Sequence, residues 1–115
     1  MRLSVLLLLL LLTACSYWRG TSSNETANGG RDVLRLGCGS CHTIPGVVGA
    51  HGQVGPSLEG FASRSYVAGD LPNQPLNLEH WIQHPHSVHP DTLMPELGVT
   101  DAEAQDIASF LYSLK

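Results

Sequence analysis

Cys38-Gly39-Ser40-Cys41-His42 is the stretch that decides how this chain folds. A C-x-x-C-H run is the attachment signature of a c-type haem. Its spacing has a chemical reason, because residues three and four apart on a helical turn share a face. Cys38, Cys41 and His42 can therefore all address one flat ligand. The two sulfurs would form thioethers with the haem vinyl groups, and the His42 imidazole would bind the iron as proximal ligand. Gly39 and Ser40 are small enough to leave room for the macrocycle. Two other chemistries use such residues: a C-x-x-C redox pair in a βαβ setting, and half of a zinc site. The first needs strands that this sequence does not announce. The second needs a fourth ligand, and the run supplies three.

Upstream, Arg2 precedes an apolar run from Leu3 to Leu12, long enough for a signal-peptide core and short for a membrane span. The following Leu12-Thr13-Ala14-Cys15 resembles the lipobox of bacterial lipoproteins, whose cysteine is acylated and becomes the first mature residue. The competing expectation is an ordinary leader cut nearby, with Cys15 as a stray thiol. Acylation gives the odd cysteine a purpose, and more than one acyl chain is what stable anchoring requires. The expected organisation is thus a removed leader over 1–14, a lipid-anchored tether over 15–29 and one domain over 30–115. Ser16, where an aspartate commonly marks inner-membrane retention, leaves either bacterial membrane open. The tether stretch Ser16 to Gly29, rich in Ser, Thr, Asn and Gly, has a coil reach of roughly 20 Å and an extended limit near 50 Å.

Loss of Arg2 with the leader leaves about −5 of net charge before any haem propionates, which argues against nucleic acid as a partner. A domain of this size is marginal without help. A buried haem would supply much of the missing interior. The domain reads as short helices separated by long loops. Gly30 to Leu36 is expected to be the first helix, leading into the cysteine motif. Asn77 reads as the N-cap of a middle helix with Leu78, Trp81 and Ile82 on one side, stopped by Pro85. Thr100 and Glu103 form a capping box for the last helix, where Ala104, Ile107, Ala108 and Leu111 make a core stripe. Thr43 to Gly60 holds too many Gly and Pro residues for regular structure, and so long a loop needs something to wrap around.

Taken together, these residues resemble the small class I cytochromes c over roughly Gly30 to Leu114. The combination Cys41-His42-Thr43-Ile44-Pro45-Gly46, Val54-Gly55-Pro56-Ser57-Leu58, Leu71-Pro72-Asn73, Asn77-Leu78, Trp81-Ile82 and Met94-Pro95-Glu96-Leu97-Gly98 is similar to the cytochrome c domain associated with subunit II of caa-type haem–copper oxidases. The resemblance implies an all-α fold wrapped around one covalently bound haem c per chain, with crossed terminal helices. It implies Met94 as the distal iron ligand and the Pro56 carbonyl as the acceptor that orients His42. No copper-binding domain accompanies the motifs, so the resemblance supports a haem module and not oxidase catalysis.

Met94 is the only methionine besides the initiator, and it sits between Pro90 and Pro95, where a loop can be held stiffly. A lone methionine is otherwise a common gap-filler in cores. Thioether ligation raises a haem potential, which suits an electron carrier. Arg64, Tyr66 and Trp81 are candidates for hydrogen bonds to haem propionates; a surface ion pair for Arg64 and plain core packing for Trp81 are the alternatives. His80, His84, His86 and His89 crowd the segment before Met94, and His80 and His84 have the i, i+4 spacing of a metal pair. No carboxylate or thiol pattern accompanies them, so exposed, pH-sensitive histidines are the expectation, as for His51.

Three functions follow from this reading. The first is a membrane-tethered monohaem carrier, monomeric and not itself an enzyme, that shuttles electrons between respiratory complexes on the periplasmic side. The second is a haem subunit fixed in one oxidase or dehydrogenase complex as its electron entry port, which an apolar patch beyond the haem edge would favour. The third is haem catalysis or ligand sensing, which needs an open distal position. Lys115 is the only lysine, so the expected docking face is apolar, small and transient rather than a basic ring.

Overall fold

The structure, a computed structural model, describes residues 23–115. The leader, Cys15 and the first part of the tether lie outside the described residues. Among the described residues there are four α-helices: α1 (Ser23–Arg35), α2 (Pro75–Gln83), the single-turn α3 (Pro85–Val88) and α4 (Asp101–Leu111). Short 3-10 turns occupy Cys38–Ser40 and Phe61–Ser63. A two-stranded antiparallel ribbon joins β1 (Tyr66–Val67) to β2 (Leu71–Pro72), pairing Tyr66 with Pro72 and Val67 with Leu71. The ribbon is the one strand element in the described residues, and the architecture is otherwise helical, as expected.

The first helix departs from the sequence reading. It does not start at Gly30, because Ser23–Gly29, read as tether, are already helical. Gly29, read as the last residue of the tether, is buried where α1 meets α4. A Cβ on Gly29 would lie 2.0 Å from the Asp106 carbonyl oxygen and 2.7 Å from the Phe110 Cβ. The absent side chain is what lets the two backbones approach. Arg35 adds an ion pair to Glu103 of α4 at 2.6 Å. Past the helix, Gly37 turns the chain in the left-handed region at φ 75°, a common helix stop.

The middle helix also begins earlier than expected. Gln74 is the N-cap and Pro75 the first helical residue, where a missing N–H costs nothing. Asn77 is therefore not the cap; its amide donates to the Pro72 carbonyl at 3.0 Å. Pro85 does end α2, then opens α3 after His84 breaks helical geometry at φ −134°. At α4, the Thr100–Glu103 capping box forms as expected, and Ala104, Ile107, Ala108 and Leu111 are all buried.

The core gathers Val33 of α1, Ile44 and Ala50 of the loop, Phe61, Val67, Leu78 and Ile82 of α2, and the α4 stripe. Among the described residues it contains no buried charged or polar side chain. The glycine-rich loop has its own turns, closed by Ile44 N–H to Ala50 O at 3.1 Å and by a Thr43–His51 bridge. Across the core, the hydroxyl of Tyr112, the residue that caps α4, donates to Asn73 at 2.9 Å, and the Asn73 amide donates to the Arg64 carbonyl at 2.9 Å. That chain of bonds fixes the base of the β ribbon to the last helix.

Candidate functional site

Cys38 and Cys41 lie on and just after a 3-10 turn, in which residues three apart eclipse one another. The turn closes with Cys41 N–H to Cys38 O at 3.2 Å and His42 N–H to the same carbonyl at 3.0 Å. Both sulfur-bearing residues and His42 line one cavity of about 920 Å³. Burial pushes the Cys38 thiol above its ordinary 9.0, and Cys41 adds to the effect against a backbone hydrogen bond. A redox dithiol uses the opposite shift, a lowered attacking thiol. Among the described residues, no three His, Cys, Asp or Glu side chains converge as a metal-holding group.

The loop over 50–58 packs directly on the motif. Gly52 N–H donates to Gly39 O at 3.1 Å, and Gly55 N–H to Cys41 O at 2.8 Å. Gly39 is small for a different reason from the one expected. It does not line the cavity; its missing Cβ would meet the Ala50 Cβ at 2.6 Å. Ser40 does line the cavity. Gly55 passes the His42 ring so closely that a Cβ there would sit 2.4 Å from Cε1.

His42 Nδ1 lies 2.7 Å from the Pro56 carbonyl oxygen. A carbonyl only accepts, so Nδ1 carries the proton and donates it, leaving Nε2 of the neutral ring unprotonated. An imidazole fixed in this tautomer is what a metal ligand requires. Met94 enters the same cavity from a segment far downstream, with its N–H bonded to the Thr92 hydroxyl at 3.2 Å. Between these groups the walls are apolar: Leu36, Phe61, Val67, Leu78, Ile82 and Leu111.

Arg64, Tyr66 and Trp81 also reach the cavity. Among the described residues Arg64 makes no ion pair of the kind weighed as an alternative; it donates to the Ser57 carbonyl and lies 5.4 Å over the Phe61 ring. Tyr66 is largely exposed, whereas the Trp81 ring meets the His89 ring edge-on with centroids 5.7 Å apart. The clustered histidines separate on folding. His80 bonds Ser87 at 3.0 Å and stands 5.4 Å, ring to ring, from His84; His86 approaches Glu96 at 3.7 Å. His89 departs from the expectation of an exposed residue, since it is partly buried and lines the cavity. Its position at the cavity and the close approach at Gly52 carried no local signal, and Gly55 carried none beyond its place in the Val54–Leu58 motif.

The residues fit a haem on three counts. The cavity is large and apolar, two thiols three residues apart share it, and a tautomer-fixed imidazole and a thioether offer two axial donors. Comparisons agree with that chemistry. The family model described as Cytochrome c matches residues 27–115, which places the matched start inside α1. Cytochrome c oxidase subunit 2 of Alkalihalophilus pseudofirmus (strain ATCC BAA-2126 / JCM 17055 / OF4) is 34% identical over 91 residues, covering 77% of this chain and 26% of that protein. Cytochrome c oxidase subunit 2 of Bacillus sp. (strain PS3) is 27% identical over 97 residues, covering 81% of this chain and 27% of that protein. The chain thus spans about a quarter of the length of the curated relatives it matches. No solved structure gives a significant match.

Proposed function

Because this chain belongs to the cytochrome c family, which binds haem c covalently and transfers electrons, we propose that it is a membrane-tethered monohaem carrier whose iron is held between His42 and Met94. Bound in the cavity, the haem supplies one-electron chemistry at its iron. Cys38 and Cys41 hold it through thioethers. His42 Nε2, with the ring oriented by Pro56, and the Met94 thioether would be the donors to its iron. The apolar walls keep water away, and together with thioether ligation they favour the reduced iron and a raised potential. No side chain here is required to make or break a substrate bond. The single observation that carries the reading is the 2.7 Å bond from His42 to Pro56, which presets the ring as a ligand in a cavity shared with Met94.

Acylation of Cys15 would confine the carrier to a bacterial membrane surface facing the periplasm. With Ser23 already helical, residues 16–22 span at most about 25 Å, so the domain would sit closer to the lipid than a tether running to Gly29 allows. No helix of the described residues is long and apolar enough to cross a membrane. Arg64, Tyr66 and Trp81, at the cavity, are the side chains available to the propionates.

A second reading, a haem subunit held permanently by a respiratory oxidase, is favoured by the similarity to two cytochrome c oxidase subunit 2 proteins. Extraction of the native membrane at rising salt separates the two: a shuttle leaves the oxidase, a subunit stays with it.

Optical spectra of the oxidised holo-protein and of Met94→Ala test the ligand assignment. Loss of the sulfur–iron charge-transfer band in the variant is expected. An unchanged spectrum would overturn the His42/Met94 pairing.

A further inference from the structure

We propose that His89 is a positioning residue that fastens the Met94-bearing segment to the β1–β2 turn and so sets how readily the distal side of the haem opens. The inference rests on the reading of Met94 as the distal ligand. His89 Nε2 lies 2.7 Å from the Ala68 carbonyl oxygen and 3.1 Å from Asp70 Oδ1. Both are acceptors, so Nε2–H donates to the pair of them. The ring is steadied from a third direction by the edge of Trp81 on α2.

What this grip controls follows from the bonds on each side of it. Towards Met94, the His89 carbonyl accepts from Thr92 N–H at 3.1 Å, and the Thr92 hydroxyl accepts from Met94 N–H at 3.2 Å. Pro90 and Pro95 restrict the backbone at both ends of that turn. A displacement of His89 is therefore passed to Met94 through short hydrogen-bonded steps rather than absorbed by slack chain. On the other side, the ribbon is not free to follow. Asn73 N–H donates to Ser65 O at 3.0 Å, and Asn73 is held in turn by Tyr112 at the end of α4.

The turn that receives His89 is itself unusual. Ala68 stands at φ 52°, the only non-glycine among the described residues in the left-handed region. Such a conformation persists only where surrounding contacts over-determine it. One such contact is the hydrogen bond that the Ala68 carbonyl accepts from the His89 ring. By contrast, His86 and Glu96, at 3.7 Å and both half exposed, lie beyond hydrogen-bond distance and contribute little to the same segment.

Imidazole, a small ligand that competes with the methionine for oxidised iron, reads the opening directly. Its apparent affinity is the intrinsic affinity scaled by the fraction of molecules with the distal side open. The measurement is an imidazole titration of the holo-protein, followed by loss of the sulfur–iron band. Removal of two hydrogen bonds, one of them to a carboxylate, is expected to tighten apparent binding on the order of tenfold in His89→Ala, with the band intact before imidazole is added. His89→Gln keeps a donor of similar reach and is expected to recover most of the wild-type value, which a general loosening of the fold would not do. Glu96→Gln is expected to stay within about twofold of wild type.

If His89→Ala does not load haem, Asp70→Ala removes one of the two acceptors and is expected to tighten imidazole by roughly threefold. An affinity for His89→Ala, or for Asp70→Ala in its place, equal to wild type would overturn the proposal. Met94→Ala, run alongside, tells the two failures apart. If that variant lacks the band, a null result at His89 refutes the positioning role alone. If it keeps the band, the distal ligand is not Met94 and the positioning role falls with it.

Discussion

Two adjacent glycines in α1 should respond to the same substitution with opposite signs. On helix propensity alone, Gly→Ala stabilises by about 1 kcal/mol. At Gly30 the new Cβ would meet the Phe110 ring at 3.4 Å, an ordinary contact with a side chain that can adjust. Gly30→Ala is therefore expected to keep most of that gain. At Gly29 the Cβ would fall 2.0 Å from the Asp106 carbonyl oxygen and 2.6 Å from its carbon, both backbone atoms of α4. Relief requires α1 and α4 to part by roughly 1 Å, and a gap of that order forfeits a quarter to a half of each dispersion contact across the interface. Overpacking in a close-packed core costs about 1–3 kcal/mol and occasionally more. Because the obstructing atoms are backbone, the upper end applies, and after the propensity gain a net loss of about 2 kcal/mol remains. For a domain of this size that lowers Tm by roughly 10 °C, whereas Gly30→Ala raises it by several degrees. Urea and thermal unfolding of the two holo-proteins, side by side, measure both values. Equal stability of the two variants would refute the reasoning, because it would mean that the helices do not meet at Gly29.

Other outcomes follow from the same geometry. Gly55→Ala should push the His42 ring by about 1 Å, stretching its bond to Pro56 beyond hydrogen-bond range. The haem would remain attached through its thioethers while the oxidised protein gains a high-spin fraction. A wild-type spectrum would show instead that the loop yields. At α4, the Glu103 carboxyl is held below its ordinary 4.5 chiefly by the Thr100 backbone N–H, then by the Thr100 hydroxyl, with Arg35 adding a smaller share. A depressed folded pKa means that this contribution is complete above the ordinary carboxylate value and disappears as pH falls through the depressed one. Acid titration of stability should therefore be flatter in Glu103→Gln, and an identical acid slope would remove Glu103 from the linkage.

The parts of the chain that could be read locally share one property: their cause lies within a few residues. The Cys38–His42 turn, the Thr100–Glu103 box and the stripe from Ala104 to Leu111 each depend on spacing within a single element, and the structure reproduces them. Asn77 misled because a good capping side chain two residues into the helix competes with Pro75, whose fixed φ suits the first helical position. Gly29 misled more deeply. Composition marks a glycine at the end of a polar stretch as linker, and no local pattern distinguishes a glycine that permits motion from one that permits contact.

The sequence by itself determined that a haem-binding motif is followed by short helices and a single downstream methionine, because ligand type and helical period are written in residue identity and spacing. Only the tertiary structure decided that Gly29 is where two helices meet, that Met94 shares the cavity of His42, and that His89, alone among the clustered histidines, reaches that cavity and bonds the β1–β2 turn. The physical reason is distance along the chain. A hydrogen bond or a close approach between segments far apart in sequence depends on where the whole backbone has been carried, and no window of residues records that path.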